Sequence, residues 1–290
     1  MNDKLILDTL DRLEQIGRES GLRAGSGSVP IPSRTEAVKW IKDIQALLFP
    51  GYFALQEAGD GALSQEARLS RIRYALRALL ESAFVYDCCG RSGDAAQMTD
   101  EFIARLPDIK RMLCTDIEAL YEGDPAARCR EEVLICYPGF FAVSVYRVAH
   151  VLYEMNVPFL PRMLTEYAHE RTGVDIHAGA QIGEYFFIDH GTGIVVGETT
   201  VIGDHVKLYQ GVTLGAKSFE LDEHGNPVKG IKRHPNIGSH VVVYANATIL
   251  GGRTTIGDGC TIGANVWITK SVEPGQTVYF QPAAPASKGQ

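Results

Sequence analysis

The sequence has no excess of basic residues. Its 290 residues include 28 Lys and Arg against 35 Asp and Glu, which gives a formal net charge of −7. Because an acidic chain has no general attraction for polyanions, we expect no nucleic acid partner. Long apolar runs are also missing. The longest candidates, such as residues 140–145, fall far short of the roughly 18 residues that a membrane-spanning helix needs, so we expect no membrane partner.

The N-terminus lacks the basic and then apolar order of a signal peptide, because Met1-Asn-Asp-Lys opens a polar amphipathic stretch. Cysteine is sparse. The six cysteines fit neither a paired CxxC zinc site nor the dense disulfide framework of a small secreted domain. We therefore expect reduced thiols and a cytoplasmic protein. With 45% hydrophobic and 22% charged residues, the chain has the composition of a folded globular protein of up to two domains.

Helical periodicity extends from the N-terminus to about residue 170. Apolar residues recur at intervals of three and four from Leu5 to Ile16. Ser33 stands three residues before Glu36, the spacing of a capping box that begins a helix. Further helical patterns occur at about residues 64–87, 97–121 and 139–155. We predict an α-helical domain over residues 1–170.

A six-residue repeat replaces the helical period after Val174. An aliphatic residue recurs at every sixth position, with two slips of phase (after Ile194 and after Ile249) and one long break (after Leu214), at Ile176, Ile182, Ile188, Ile194, Ile202, Leu208, Leu214, Ile237, Val243, Ile249, Ile256, Ile262 and Ile268. This period fits neither a helix nor a hairpin meander, but it fits a solenoid whose short strands each point one aliphatic side chain inward. We predict an α + β protein, with a parallel β-helix over residues 171–280 and a short C-terminal tail over residues 281–290.

The break after Leu214 is long. Residues 216–234 contain charges, glycine and proline but no copy of the repeat, so we predict a loop that leaves the coil. Loops of more than about 12–15 residues are uncommon within a compact domain and are often functional.

Polar residues that a solenoid does not need occur in three places: Asp175-Ile-His177, Asp189-His190 and Arg233-His234. A carboxylate beside an imidazole fixes its tautomer and makes it a better base towards an alcohol. Asp175 and His190 are 15 positions apart. Because one turn of a three-sided coil takes roughly 18 residues, the two side chains could meet across neighbouring turns.

Four blocks follow one another in this half of the chain: VDIHAGAQIG at 174–183, IDHGTGIVVGET at 188–199, GVTLG at 211–215 and RHP at 233–235. In this order they resemble the signature blocks of serine O-acetyltransferases, which belong to the hexapeptide-repeat acyltransferases. Residues 116–126 and 139–150 are similar to the end of that family's helical domain. The resemblance covers about residues 110–275.

The resemblance implies a left-handed β-helix that assembles as a trimer, with trimers paired into a hexamer through a helical oligomerisation domain. It implies transfer of acetyl from the co-substrate acetyl-CoA to the hydroxyl of L-serine, which gives O-acetyl-L-serine and CoA in cysteine biosynthesis. L-cysteine is the implied inhibitor at the same site, and no metal is expected.

The resemblance also assigns roles to residues. His190 is the implied general base, with Asp175 as the carboxylate behind it, and His234 contacts the substrate carboxylate or the developing oxyanion. Substrate binding falls to Asp124, Asp189 and Arg233. Acetyl-CoA is expected in a groove between the coils of two subunits, against the backbone of Gly215, Ala216, Ala245 and Gly263.

Many members of the family bind O-acetylserine sulfhydrylase through a C-terminal isoleucine. This sequence instead reads Ala286-Ser-Lys-Gly-Gln290 there, so we expect no such complex.

Three other hypotheses fit the same repeat. The acceptor could be homoserine, a sugar or another amine or alcohol. A metalloenzyme similar to γ-carbonic anhydrases would bind zinc between subunits through His177, His190 and His234, although the neighbouring aspartates and the RHP block favour acyl transfer. A repeat scaffold without catalysis would not need His190.

Overall fold

The computed structural model describes residues 3–21, 31–53, 63–87 and 89–279. The tail predicted over residues 281–290 lies outside them. The helices in these ranges are α1 (Asp3–Glu19), α2 (Arg34–Leu48), α3 (Gln65–Tyr86), α4 (Ala95–Gly123), α5 (Arg130–Cys136), α6 (Pro138–Glu154) and α7 (Leu160–Thr172). The strands are β1 (Asp175–Ile176), β2 (Gln181–Ile182), β3 (Phe187–Ile188), β4 (Val195–Val196), β5 (Val201–Ile202), β6 (Lys207–Leu208), β7 (Thr213–Gly215), β8 (Asn236–Ile237), β9 (Val242–Val243), β10 (Thr248–Leu250), β11 (Thr255–Ile256), β12 (Thr261–Ile262), β13 (Trp267–Ile268) and β14 (Thr277–Val278).

Local sequence signals set the helix boundaries. The Ser33 hydroxyl accepts a hydrogen bond of 3.2 Å from the Glu36 backbone N–H, which confirms the predicted start of α2. Helix α6 is apolar around most of its circumference and is the central helix, with Phe140, Val143 and Tyr146 buried. In α1 the apolar residues form a stripe that the rest of the described chain leaves exposed. No single helix in the described part of the chain is long and apolar enough to cross a membrane, although α5 and α6 pass that test together across a 76° bend.

The strands wind into a three-sided prism. Sheet A has the order β1-β4-β7-β10-β13, sheet B the order β2-β5-β8-β11 and sheet C the order β3-β6-β9-β12-β14, and all pairs are parallel. Strands β1 to β13 belong to A, B and C in turn, β14 belongs to C, and the repeating aliphatic side chains fill the interior. The hexad pattern therefore predicted the parallel β-helix correctly, because each coil needs one inward residue per side. The three parallel sheets are consistent with the left-handed coil that the resemblance implied.

Helix α6 covers the first turn of the prism, where backbone carbonyls have no preceding coil to bind. Its side chains cap that edge: the Tyr146 hydroxyl donates to Ala180, Arg147 donates to Ile182 and Gly183, and His150 Nδ1 lies 2.7 Å from the Ala178 oxygen. Asp116 of α4 binds the buried Arg147 at 2.9 and 3.0 Å and accepts the Phe186 N–H at 3.0 Å. These hydrogen bonds pair backbone groups at the edge of the first coil that would otherwise have no partner.

Candidate active site

Most of the predicted site residues fall on two of the three corners of the prism. The CA corner joins sheet C to sheet A and contains residues 189–194, 209–212, 244–247 and 263–266. The AB corner joins sheet A to sheet B and contains residues 177–180, 197–200, 216–235 and 251–254. Asp189, His190, Ala245 and Gly263 lie on the first, whereas Ala216, Arg233 and His234 lie on the second and Gly215 ends the strand that enters it.

His190 lies where the repeat changes phase. The CA corner between β3 and β4 has six residues (189–194), but the next one, between β6 and β7, has four (209–212). The longer corner needs left-handed backbone at His190 (φ 57°), Gly191 (φ 77°) and Gly193 (φ 82°). A left-handed histidine is uncommon and carries strain. The corner presents the imidazole to solvent, 69% exposed, with Nε2 at 3.6 Å from Asp189 Oδ2.

Two residues of the helical half, Asp124 and Tyr137, lie beside the CA corner. Asp124, the C-cap of α4, accepts a 2.5 Å hydrogen bond from the Tyr137 hydroxyl and a 2.8 Å bond from the Ala126 N–H. The hydrogen bond from Tyr137, which has the larger effect, and the bond from Ala126 hold the pKa of Asp124 below its usual range. Positive charge on His190 lowers that pKa further. The CA corner thus places a stabilised carboxylate, Asp124, near the imidazole and Asp189, an arrangement that suits an ammonium group.

His234 has the opposite environment on the AB corner, where only 7% of it is exposed. Burial, aided by the positive charge of Arg233, lowers its pKa to about 4, so the ring is neutral at physiological pH. Its Nδ1 accepts the Thr199 N–H at 3.1 Å, which leaves the proton on Nε2. The Thr199 hydroxyl oxygen in turn accepts the backbone N–H groups of Arg233 and His234. His234 is therefore a fixed, neutral hydrogen-bond donor.

Arg233 is positioned by two residues that the sequence reasoning did not single out. Its Nη2 donates to Glu198 Oε2 at 2.6 Å, and the Tyr153 hydroxyl of α6 donates to Glu198 Oε1 at 3.0 Å. Burial opposes ionisation of Glu198, but these two bonds outweigh it and lower its pKa. A cavity of about 830 Å³ lies between this ion pair and the loop over residues 216–234. Glu198 and Thr199 belong to the IVVGET block, and this was the one sequence signal for them.

Asp175 lies on strand β1, and His177 lies on the AB corner. A carboxylate oxygen of Asp175 lies within 4.8 Å of a carboxylate oxygen of Glu166 and a ring nitrogen of His169. The Asp175 carboxylate therefore neighbours helix α7. Among the described residues no hydrogen bond or ion pair joins Asp175 to His190. Burial lowers the pKa of His177, whose Nδ1 accepts the Gly179 N–H at 3.0 Å on the AB corner. Within the described chain His177, His190 and His234 do not converge on a common point, because His190 lies on the other corner.

The four residues predicted to contact acetyl-CoA are also divided between the two corners. Gly215 and Ala216 lie at the AB corner, and Ala245 and Gly263 lie at the CA corner. Packing within the chain also favours glycine at both positions: a Cβ on Gly215 or Gly263 would meet Leu250 or Tyr279 at 3.0 Å.

The width of sheet A separates the two corners. His190 lies on the corner before β4 and Gly197 on the corner after it, so the strand of sheet A runs between them. The electrostatic neighbours agree: the charges that act on His234 are those of Arg233, Glu198, Lys232 and His177, all on the AB corner. One chain therefore contains two separated half-sites.

A hexapeptide-repeat β-helix with an exposed imidazole and carboxylates on one corner, and an arginine beside a neutral histidine on another, has the features of an acyltransferase of the repeat class. No family model matches the chain. It is 45% identical over 266 residues to the plasmid serine acetyltransferase of Synechococcus elongatus, covering 86% of this chain and 82% of that protein. The chain belongs to the serine acetyltransferase family.

Solved structures agree with this assignment. Serine acetyltransferase 1 from Entamoeba histolytica, in complex with L-cysteine, is similar with a TM-score of 0.71 and 37% identity, over 83% of this chain and 86% of that one. The serine acetyltransferase of Neisseria gonorrhoeae, in complex with serine, gives a TM-score of 0.56 and 33% identity, over 75% of this chain and 83% of that one.

Proposed function

We propose that the protein transfers the acetyl group of acetyl-CoA to the hydroxyl of L-serine, forming O-acetyl-L-serine and CoA. The observation that carries the proposal is the chemistry of the two half-sites. Asp124 and Asp189 on the CA corner suit the ammonium group of an amino acid, and Arg233 on the AB corner suits its carboxylate. The hydroxyl then lies between them, within reach of His190.

His190 is the proposed general base. Its imidazole takes the hydroxyl proton as the serine oxygen attacks the thioester carbonyl, and it returns that proton to the CoA sulfur when the C–S bond breaks. General-base help of this kind contributes about 10²- to 10⁴-fold. The Nε2–H of His234 binds the substrate carboxylate or the oxyanion, where one positioned donor contributes roughly 3–4 kcal/mol. Asp175 stays the proposed carboxylate behind His190.

Because the half-sites lie on opposite sides of sheet A, the complete site needs two copies of the chain. A closed ring in which the CA corner of one copy faces the AB corner of the next repeats the site at every interface. A trimer of prisms satisfies this requirement and forms the groove proposed for acetyl-CoA, lined by Gly215, Ala216, Ala245 and Gly263. The exposed apolar stripe of α1 supports pairing of trimers through the helical domain.

L-cysteine is the proposed inhibitor. It has the same charged ends as serine and a thiol in place of the hydroxyl, so the same contacts bind it. The relative from Entamoeba histolytica was solved with L-cysteine and the one from Neisseria gonorrhoeae with serine. A cytoplasmic location and the lack of a complex with O-acetylserine sulfhydrylase stay predictions.

Thiol release from acetyl-CoA tests the proposal, with L-serine, homoserine and a galactoside as separate acceptors. We expect serine-dependent release that the His190→Ala variant loses and that L-cysteine suppresses. Faster release with homoserine or the galactoside would mean that His190 acts as the base towards an acceptor other than serine. No release with any acceptor would reject acyl transfer.

A further inference from the structure

Tyr209 lies on the CA corner, one coil beyond Asp189. Strand β6 pairs in register with β3, so that Leu208 lies beside Ile188, and Tyr209 takes the place in its coil that Asp189 takes in the coil before. The Asp189 N–H donates to the Leu208 carbonyl at 3.1 Å, which fixes the two coils to each other. Neighbouring coils are about 4.8 Å apart, so the Tyr209 side chain starts beside the half-site that contains Asp189.

Ring contacts hold the Tyr209 side chain in place. Its ring stacks on that of Tyr244 in the next coil, with centroids 5.2 Å apart and planes at 14°, and the ring of Phe187 lies edge-on at 5.8 Å. Phe187 in turn packs against the end of α4, where a Cβ on Gly123 would overlap its ring. Because Asp124 follows Gly123, one packed cluster positions both the Tyr209 phenol and the Asp124 carboxylate. A side chain that is already fixed loses little conformational entropy when it binds a ligand.

The Tyr209 hydroxyl lies near both carboxylates of this half-site. Burial has the largest effect on the pKa of Tyr209 and raises it, and the neighbouring Tyr244 phenol adds to this. The charges of Asp189 and Asp124 raise it further, so both carboxylates lie within electrostatic range of the hydroxyl. The phenol is therefore neutral at physiological pH. Among the described residues none forms a hydrogen bond with this hydroxyl, whereas that of Tyr137 is already bonded to Asp124.

An ammonium group has three N–H donors, whereas the half-site on the CA corner offers two carboxylates. Asp124 and Asp189 each accept one of these N–H groups in the proposed binding mode. Without a third acceptor, one charged donor would lose its hydrogen bond to water on binding and gain none in return. The Tyr209 oxygen has free lone pairs on the same corner, so it can fill that position.

We propose that Tyr209 binds the amino acid acceptor, with its hydroxyl oxygen accepting the third N–H of the ammonium group beside Asp124 and Asp189. The identity of the acceptor as L-serine rests on the proposed function. Methylation of the ammonium group removes one N–H, so this contact selects a primary over a secondary ammonium group. Tyr209 takes no part in proton transfer and stabilises the bound acceptor equally in the ground state and the transition state.

Equilibrium titration with L-serine, without acetyl-CoA, tests this contact. Tyr209→Phe keeps the stacked ring and removes only the hydroxyl, and it is expected to bind L-serine about 10-fold more weakly because one charge-assisted hydrogen bond is lost. Its matched control is Tyr244→Phe, which removes the hydroxyl of the adjacent ring, one coil further from Asp189, and should change the Kd by less than about twofold. Equal binding by the wild type and Tyr209→Phe, or an equal loss in both variants, would overturn the proposal.

N-methyl-L-serine, whose ammonium group has two N–H donors, separates recognition of the third donor from other effects. The wild type is expected to bind L-serine about 10-fold more tightly than N-methyl-L-serine, whereas Tyr209→Phe should bind the two nearly equally. An unchanged ratio of the two Kd values in the variant would overturn the proposal.

Steady-state kinetics separate this inference from the proposed function. In Tyr209→Phe the KM for L-serine should rise about 10-fold, while kcat and the KM for acetyl-CoA stay nearly constant. A fall in kcat with no change in the KM for serine would overturn the inference. Serine-dependent thiol release with unchanged serine binding in Tyr209→Phe would reject only the inference, and weaker binding by that variant without thiol release by the wild type would reject only the proposed function.

Discussion

A mixture of two inactive variants is expected to recover activity, because the half-sites of one chain lie on different corners. His190→Ala removes the base from the CA corner, and His234→Ala removes the donor from the AB corner. Each variant alone should lose about 10²- to 10⁴-fold in kcat, the usual effect of removing a general base or an oxyanion donor.

The size of the recovery follows from the geometry. In a ring co-assembled from equal amounts of the two variants, half of the CA corners and half of the AB corners carry their histidine. A site takes one corner from each of two neighbouring copies, so about one quarter of the sites are intact in an unselected mixture of trimers and about one third in trimers that contain both variants. After purification through both tags the mixture should show about 25–33% of wild-type activity.

The assay is initial-rate thiol release by the two variants, co-expressed with different affinity tags and purified through both. The control replaces the second variant by the double variant His190→Ala/His234→Ala, because no mixed interface then contains both histidines. Activity of the mixture no greater than that of the separate variants would place both half-sites in one chain and refute the reasoning.

Three other predictions concern residues around the site. Replacing Arg147 by Met should lower the free energy of unfolding by about 3–5 kcal/mol, since Asp116 is then buried without its partner; urea unfolding measures this, and a loss under about 1 kcal/mol would contradict the capping role. Lowering the pH from about 6.5 to 4 should remove roughly 2–3 kcal/mol of stability, because the unfolded chain protonates His234 while the folded chain keeps it neutral. His234→Gln should weaken that dependence, and an unchanged slope in pH-dependent unfolding would argue against a depressed pKa. Glu198→Gln should raise the KM for serine about 10-fold, because Arg233 loses its ionic partner, and should leave the KM for acetyl-CoA nearly unchanged. Steady-state kinetics measures both constants, and a fall in kcat with no change in either KM would contradict this prediction.

The repeat made the β-helix predictable, and its interruptions indicated the site. An inward aliphatic residue at every sixth position fits only a coil that takes one such residue on each side. Two of the repeat's three departures hold predicted site residues. The structure places the first slip between Ile188 and Val196, in a CA corner that is two residues longer than the next and holds His190, and Arg233 and His234 end the loop over residues 216–234. The slip after Ile249 holds none. A regular repeat has no need of such departures.

Contacts between the two halves of the chain could not be predicted. The bonds from Tyr137 to Asp124 and from Tyr153 to Glu198 depend on how α6 packs against the prism, which no local pattern encodes. Helix α5 was not predicted because its seven residues are too few to show a period. Helix α7 was not predicted either. It has proline in its first turn, where proline is tolerated, although it reads as a helix breaker in the sequence.

Identification of the product tests whether the protein acetylates the hydroxyl of L-serine. Wild-type protein is incubated with L-serine and acetyl-CoA labelled with ¹³C at the acetyl carbonyl, and the carbonyl signal is followed by NMR. An O-acetyl-L-serine ester signal is expected to grow as the thioester signal falls, and neither change is expected with His190→Ala. Loss of the thioester without formation of that ester, or an equal rate in the variant, would contradict the proposed function.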